Sequence, residues 1–203
     1  MKVGDSKIKE LANTLVFLED SVINAPRLIK SGIYEDSYYV LMSECKGQMT
    51  YDIEPMLAVK VLARALKEIH SLKPSKDVVV KDVHYFQEEM KKIDKEKLGK
   101  EDLEFIDNLH DSFIQDDLVY SHGDYCLPNI LYDNGITSII DLDYAGVNFR
   151  YSDILDCIWS LEYNFNTTKY KEPFLKEYGI DEFDEKTAKV VKTIHRIMEI
   201  KGY

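Results

Sequence analysis

The stretch Ser121-His122-Gly123-Asp124-Tyr125-Cys126-Leu127-Pro128-Asn129-Ile130-Leu131-Tyr132 constrains the fold more than any other part of the 203-residue chain. It runs on through Asp133-Asn134-Gly135 to Ser138-Ile139-Ile140-Asp141-Leu142-Asp143. An Asn-Gly pair between two short apolar runs signals a hairpin, because both central residues of a tight two-residue turn need positive φ. The spacing predicts antiparallel strands over Ile130–Tyr132 and Ile136–Leu142. Asp124 and Asn129 then lie on the loop entering the hairpin, and Asp141 lies where the chain leaves it. The turn folds three oxygen-bearing side chains towards one another.

That set suits phosphoryl transfer. An Asp that accepts a hydroxyl proton, an Asn five residues later and a second Asp on the next strand are what kinases use to position acceptor, metal and phosphates. Asp124 is the candidate base, and Asn129 and Asp141 are the candidate Mg²⁺ ligands. Mg²⁺ prefers hard oxygen donors and keeps waters, so one carboxylate and one amide oxygen beside the phosphates suffice. Singly these residues are ordinary, and Asp141 could simply end a strand. The joint pattern carries the information.

Size and composition narrow the class. A chain of 203 residues can build one core or two small lobes around a cleft. Its 45% hydrophobic and 31% charged residues fit a soluble folded protein rather than a disordered one. No apolar run nears the roughly 20 residues that span a bilayer. Asp5, Lys7, Lys9 and Glu10 break up any signal-peptide core, so a cytoplasmic location is expected. Cys45, Cys126 and Cys157 are odd in number and show no metal-site spacing, which fits a reducing compartment. Cys126 reads as a packed thiol. A net charge of -11 argues against nucleic acid or an anionic membrane as partner.

Along the chain, residues 5 to 20 carry Ile8, Leu11, Leu15 and Leu18 at helical spacing. Arg27–Ile33 and Tyr38–Met42 read as strands around a turn between Gly32 and Ser37. Asp52 is the expected cap of a helix with Pro55 in its first turn and Ile53, Leu57, Leu62, Leu66 and Ile69 on its buried face. Phe86, Met90 and Ile93 predict a second helix, and Leu103, Ile106, Leu109 or His110, and Phe113 a third. Asp143–Arg150 reads as an irregular loop. Ser152 or Asp153 then caps a helix bearing Ile154, Leu155, Ile158 and Trp159, and two closing helices follow around Phe174–Tyr178 and Val190–Met198. His84, His110 and His195 have no partners at metal spacing.

The segment from Ser121 to Asp153 resembles the aminoglycoside phosphotransferase and choline kinase family, small-molecule relatives of the protein kinases. His122-Gly123-Asp124 stands where protein kinases carry His-Arg-Asp, so the resemblance implies no Arg that reads a phosphorylated activation loop. It implies an α+β, protein-kinase-like fold, mostly the helical C-lobe with a truncated strand N-lobe. On that reading residues 1–47 are the N-lobe remnant and 48–203 the helical C-lobe with the catalytic hairpin. Tyr39-Val40-Leu41-Met42-Ser43-Glu44 resembles the family's hinge, which assigns the adenine edge to the Ser43 carbonyl and the Cys45 amide. Leu131 and Ile140 fall where the family places apolar side chains under the adenine. Full members carry two more strands and a phosphate-covering loop before the strand with the ATP-binding Lys, whereas this chain begins Met1-Lys2-Val3-Gly4. The match makes Lys2 the phosphate Lys and Glu10 its helix partner, while an exposed terminal Lys and a solvated Glu remain the plain alternative. Asp153 corresponds to the Asp that tethers the catalytic loop, and His70 to a helix end that packs or hydrogen-bonds.

The implied activity is transfer of the γ-phosphate of ATP or GTP, with Mg²⁺, to a hydroxyl of a small cationic molecule. The alternative is a catalytically silent relic that binds a ligand or partner. The two halves of the motif differ in their likeness. His122 to Ile130 resembles aminoglycoside phosphotransferases; Ile140 to Ile154 is more similar to choline and ethanolamine kinases. Trp159, Tyr163 and Glu162 are the candidates for an organic cation, although Trp159 lies on an apolar helical stripe and reads first as core.

Overall fold

The computed structural model describes residues 1–74, 78–109 and 117–202. Strands β1 (Lys2–Gly4), β2 (Leu28–Tyr34) and β3 (Ser37–Met42) form an antiparallel sheet in the order β1-β3-β2. Helix α1 (Ser6–Glu19) packs on it through Leu11, Leu15 and Leu18, which share a core with Val40 of β3. Asp5 caps α1 by accepting the Lys7 N–H at 2.9 Å. The β2–β3 turn falls at Glu35-Asp36, with Glu35 at φ +51°. Gly32 instead lies inside β2 opposite Tyr39, whose ring would meet a Cβ there at 3.0 Å.

The second sheet, in the order β4-β6-β7, joins β4 (Gln48–Met49) to the expected hairpin of β6 (Ile130–Asp133) and β7 (Ile136–Ile139). Asn134 and Gly135 turn it at φ +47° and +96°, as a two-residue hairpin requires. The second strand is shorter than its apolar run suggests. Past Ile139 the Ile140 N–H leaves the ladder for the Asn129 carbonyl, at 2.9 Å, and Asp141 enters the left-handed region at φ +60°.

A third sheet corrects the loop expected over Asp143–Arg150. Gly146–Phe149 is a strand, β8, paired antiparallel with β5 (Leu118–Ser121). All four residues of β8 are buried, so the run shows none of the alternation that marks a half-exposed strand.

The rest of the chain is helical: α2 (Pro55–His70), α3 (Val83–Lys91), α4 (Lys100–Asn108), α5 (Arg150–Phe165), α6 (Lys171–Tyr178) and α7 (Glu185–Lys201). The cap of α2 is Glu54, not Asp52: its carboxylate accepts the Met56 and Leu57 N–H groups, while Asp52 sits in a short 3₁₀ turn. With that start, Leu57 is exposed and Ile53 only half-buried, and the inward face is Ala58, Leu62, Leu66 and Ile69. Leu62 and Leu66 belong to the same core as Leu127, Ile154, Leu161, Phe174 and Ile194. Fully burying each such side chain contributes about 1.5–3 kcal/mol.

Helix α5 starts at Arg150, three residues before Asp153, which frees that carboxylate to point inward. Trp159 is not core. It is 62% exposed and stacks on Tyr163, rings 5.2 Å apart and inclined by 12°. The buried stripe of α5 runs through Ile154, Leu155, Ile158 and Leu161. His110 and Phe113 lie outside the described residues. Among the described residues no helix is long and apolar enough to cross a membrane.

Candidate active site

Asp153 organises the loop between β5 and the hairpin. It is fully buried. Its Oδ1 accepts from Ser121 Oγ and the Gly123 N–H, both at 2.9 Å. Its Oδ2 accepts from the His122 N–H at 2.8 Å and from His70 Nε2 at 3.0 Å. Burial alone would raise its pKa, but the His70 hydrogen bond and charge, with the Gly123 N–H, outweigh burial and hold it below the ordinary value. His70 is steadied in turn by Tyr178, at 2.7 Å, and Tyr178 accepts from Arg150 at 3.0 Å. The tether from Asp153 and the hydrogen-bonding role of His70 are thus both present.

His122 ties the loop to the far side of the hairpin. Its Nδ1 accepts the Asp124 N–H at 3.2 Å, so its Nε2 carries the hydrogen donated to the Ile140 carbonyl at 2.9 Å. Asn129 does the same from below. Its Nδ2 donates to the Asp124 carbonyl and to Asp124 Oδ2, both at 3.0 Å, while its own carbonyl receives the Ile140 N–H. With Nδ2 engaged on Asp124, Oδ1 is the Asn129 atom suited to a hard cation. Behind the loop, Tyr125 donates to the Leu62 carbonyl at 2.7 Å and Ser160 receives the Leu127 N–H at 3.0 Å.

Gly123 has a steric reason to be glycine. Its φ is +84°, and a Cβ there would stand 2.3 Å from the Tyr144 carbonyl oxygen. Gly123→Ala is therefore expected to destabilise the protein by at least about 1–3 kcal/mol through backbone strain. A urea titration with an unchanged midpoint would show that the loop tolerates the side chain.

At the exit of the hairpin, Lys2 of β1 forms an ion pair with Asp141 and hydrogen-bonds Asp143 Oδ1 at 2.7 Å. Burial lowers the Lys2 pKa, but the two carboxylates more than reverse this and leave it raised. Its partner is thus the hairpin exit, not Glu10, which instead exerts its charge on a different lysine, Lys81.

The hinge candidates gather nearby. Ser43 exchanges two hydrogen bonds with Arg27: its N–H donates at 2.9 Å, and its Oγ accepts at 2.8 Å. Burial raises the pKa of the Cys45 thiol, against a smaller opposing effect of Ser138, which pairs across the hairpin with Leu131. Among the described residues the Ser43 carbonyl and the Cys45 N–H take part in no backbone hydrogen bond. Leu131 is buried and Ile140 half-buried. Burial and the Asp124 charge push the Cys126 thiol up to about 12, so it is not a thiolate nucleophile.

Beside Asp124, a cavity of about 310 Å³ is lined by Lys81, Asp124, Tyr144, Asp156, His195 and Glu199. Burial, with the charges of Asp153 and Asp124, pushes the Asp156 carboxyl well above its ordinary pKa. Burial likewise lowers His195, whose Nδ1 is 3.9 Å from Asp156. Neither Lys81 nor Asp156 stood out in the sequence. A positively charged residue closing a run of three valines was the only trace of the first, and Asp156 resembled any polar residue of an amphipathic helix.

Three small sheets, a loop leading into a hairpin, and a helical body together define a protein-kinase-like phosphotransferase fold. The chain belongs to the phosphotransferase enzyme family (APH), which matches residues 6–189. It is 30% identical over 182 residues to an aminoglycoside 3'-phosphotransferase of Niallia circulans, covering 82% of this chain and 70% of that protein. A probable aminoglycoside 3'-phosphotransferase of Lactococcus lactis is 34% identical over 117 residues, 50% of this chain and 45% of that protein. Among solved structures, the aminoglycoside phosphotransferase APH(3'')-Id of Streptomyces rimosus, in complex with ADP and streptomycin, superposes with a TM-score of 0.76. The identity is 18%, covering 95% of this chain and 82% of that one. Choline kinase LicA of Streptococcus pneumoniae gives 0.64 at 16% identity, over 95% and 71%. At such identities the solved structures speak for the fold alone. The resemblance read from Ser121–Asp153 is borne out for family and fold.

Proposed function

We propose that this chain transfers the γ-phosphate of ATP or GTP to a hydroxyl of a small cationic molecule. The observation that carries the reading is the pairing of an exposed Asp124 carboxylate, held at 3.0 Å by Asn129, with a cavity that opens beside it. Asp124 takes the acceptor's hydroxyl proton as the acceptor oxygen bonds the γ-phosphorus. The bond from that phosphorus to the β–γ bridging oxygen breaks, and its electron pair leaves with the nucleoside diphosphate. The chain forms no covalent intermediate; its contribution is positioning and charge neutralisation.

Asn129 and Asp141 would hold Mg²⁺, which supplies charge neutralisation on the nucleotide's phosphates. The donors fit: they are oxygens, and the Asp141 carboxylate is exposed and already attracts a cation, the Lys2 ammonium. An Mg²⁺ ion held by these two residues would share its coordination with phosphates and water. Ser43 and Cys45 offer backbone groups to the nucleobase, Leu131 and Ile140 an apolar floor, and Lys2 a charge for the phosphates.

The acceptor's positive charge is supported by Glu199 at the cavity wall, where Asp156, its carboxyl held well above the ordinary pKa, adds a polar neighbour. Trp159 and Tyr163 follow Asp156 at three and seven residues along α5, so they continue the same helical face. An organic cation on such a ring face gains up to about 2 kcal/mol when desolvated. The streptomycin complex and the choline kinase mark two chemistries worth screening. One observation favours a silent binding module instead: Lys2 already neutralises Asp141 and Asp143.

A Mg-ATP titration by calorimetry, followed by a transfer screen over aminoglycosides, choline, ethanolamine and amino-acid alcohols, separates the two. Asp141→Asn keeps a residue tolerant of positive φ while removing the charge. It is expected to weaken Mg-ATP binding by at least about ten-fold, the equivalent of roughly 1.4 kcal/mol. Unchanged affinity would remove Asp141 from the metal site.

A further inference from the structure

Lys81 has no part in the scheme above, yet it is only 7% exposed and stands at the cavity wall with Gly123, Asp124 and Tyr144. Residues Val79 to Lys81 dock at three points, two on Val147 of β8 and one on the turn beyond Asp143 that leads into it. The Lys81 N–H donates to the Val147 carbonyl, and the Val147 N–H to the Val79 carbonyl, both at 2.8 Å. Lys81 Nζ donates to the Tyr144 carbonyl at 3.0 Å. The approach is so close that a Cβ on Gly146 would stand 2.8 Å from the Val79 carbonyl oxygen. The Tyr144 oxygen that Lys81 grips is also the one packed against Gly123, next to the candidate base.

We propose that Lys81 is a positioning residue for phosphoryl transfer. Its ammonium holds the Tyr144 carbonyl and, through it, fixes the turn carrying Asp141 and Asp143 against the loop carrying Asp124. This rests on the phosphotransferase reading. A misplacement of about 1 Å at a reacting centre can cost about 100-fold in rate, so a group that sets this register acts on turnover without touching the substrate.

A stabilising role does not account for the lysine. Burial pushes its pKa down to about 8, which means that a charged Lys81 weakens the fold at neutral pH. An apolar side chain of similar length would fill the space without that cost. From α1, Glu10 raises and Lys7 lowers the Lys81 pKa, and from α5, Asp153 raises it. Asp82 is its neighbour in the chain. Asp124, Asp156, His195 and Glu199 face it across the cavity. A charged donor makes a hydrogen bond roughly twice as strong as a neutral one, so the grip on Tyr144 loosens once Lys81 loses its proton.

The test compares wild type with Lys81→Met and Lys81→Arg, using thermal melting and phosphate release from Mg-ATP with water as acceptor, across about pH 6.5 to 9.5. K81M is expected to melt above wild type and to keep KM for Mg-ATP within about two-fold, while kcat falls by at least about ten-fold. The wild-type kcat should decline above about pH 8, where Lys81 deprotonates, and that limb should be missing in K81M. K81R, which stays charged, should recover part of kcat and carry activity to higher pH. A folded K81M with wild-type kcat and pH profile overturns the role. So does a K81M that melts lower and whose lost kcat K81R does not restore, since Lys81 would then serve only the fold. A wild type that neither binds nor turns over Mg-ATP is a separate result: it removes the phosphotransferase reading, and this role with it.

Discussion

Replacing Asp124 with Asn is expected to cut phosphate transfer by about 10²–10⁴-fold, the usual contribution of a positioned proton acceptor. Asn has nearly the same shape and can still accept the 3.0 Å hydrogen bond from Asn129 Nδ2, so the loop should keep its course. It cannot take the acceptor's proton. On the proposed reading the nucleotide is held by residues other than Asp124, so Mg-ATP affinity should stay within a factor of about two. Parallel calorimetry and turnover assays separate these effects. An unaffected rate would take Asp124 out of the mechanism, whereas lost binding would give it a structural part.

Asp153→Ala should have the largest effect on stability, about 3–5 kcal/mol, since each buried group left without its hydrogen-bond partner costs about 1–3 kcal/mol. The change strands Ser121 Oγ, His70 Nε2 and the N–H groups of His122 and Gly123 at once. The sign of the pH dependence follows from the carboxyl's depressed pKa. Its contribution is in place above the ordinary value of 3.8 and is lost as pH falls through the lower folded value. Urea midpoints measured from neutral pH into acid should therefore fall more steeply below about pH 4 for wild type than for Asp153→Asn. Equal slopes would mean that the network does not depend on the carboxylate's charge.

Sequence disclosed the parts of this molecule whose signals are local. Asn134-Gly135 named its turn because few other pairs accept positive φ twice in succession, and the placement of Asp124 and Asn129 before the hairpin and of Asp141 beyond it followed from that turn. The helices were visible wherever one face was buried and the other wet. What stayed hidden depends on residues distant in the chain. β8 is buried on both faces and pairs with a strand 25 or more residues away, so no periodicity betrays it. Trp159 lies just beside the apolar stripe of α5, and only the position of neighbouring helices decides that it faces outward. The cap of α2 moved to Glu54 because a longer carboxylate reached two N–H groups that a residue inside the preceding 3₁₀ turn could not. Lys2 is the sharpest case. Its contacts lie about 140 residues ahead in the chain, beyond any local rule.

The ammonium of Lys2 stitches the strand sheet to the bend beyond β7. On the proposed reading, a polyanionic guest would compete for that ammonium, and a cation arriving with it would compete for the two carboxylates left behind. Each half of the guest would then satisfy what the other half displaces. Loading would trade one electrostatic seam for another, leaving no unbalanced charge at the junction.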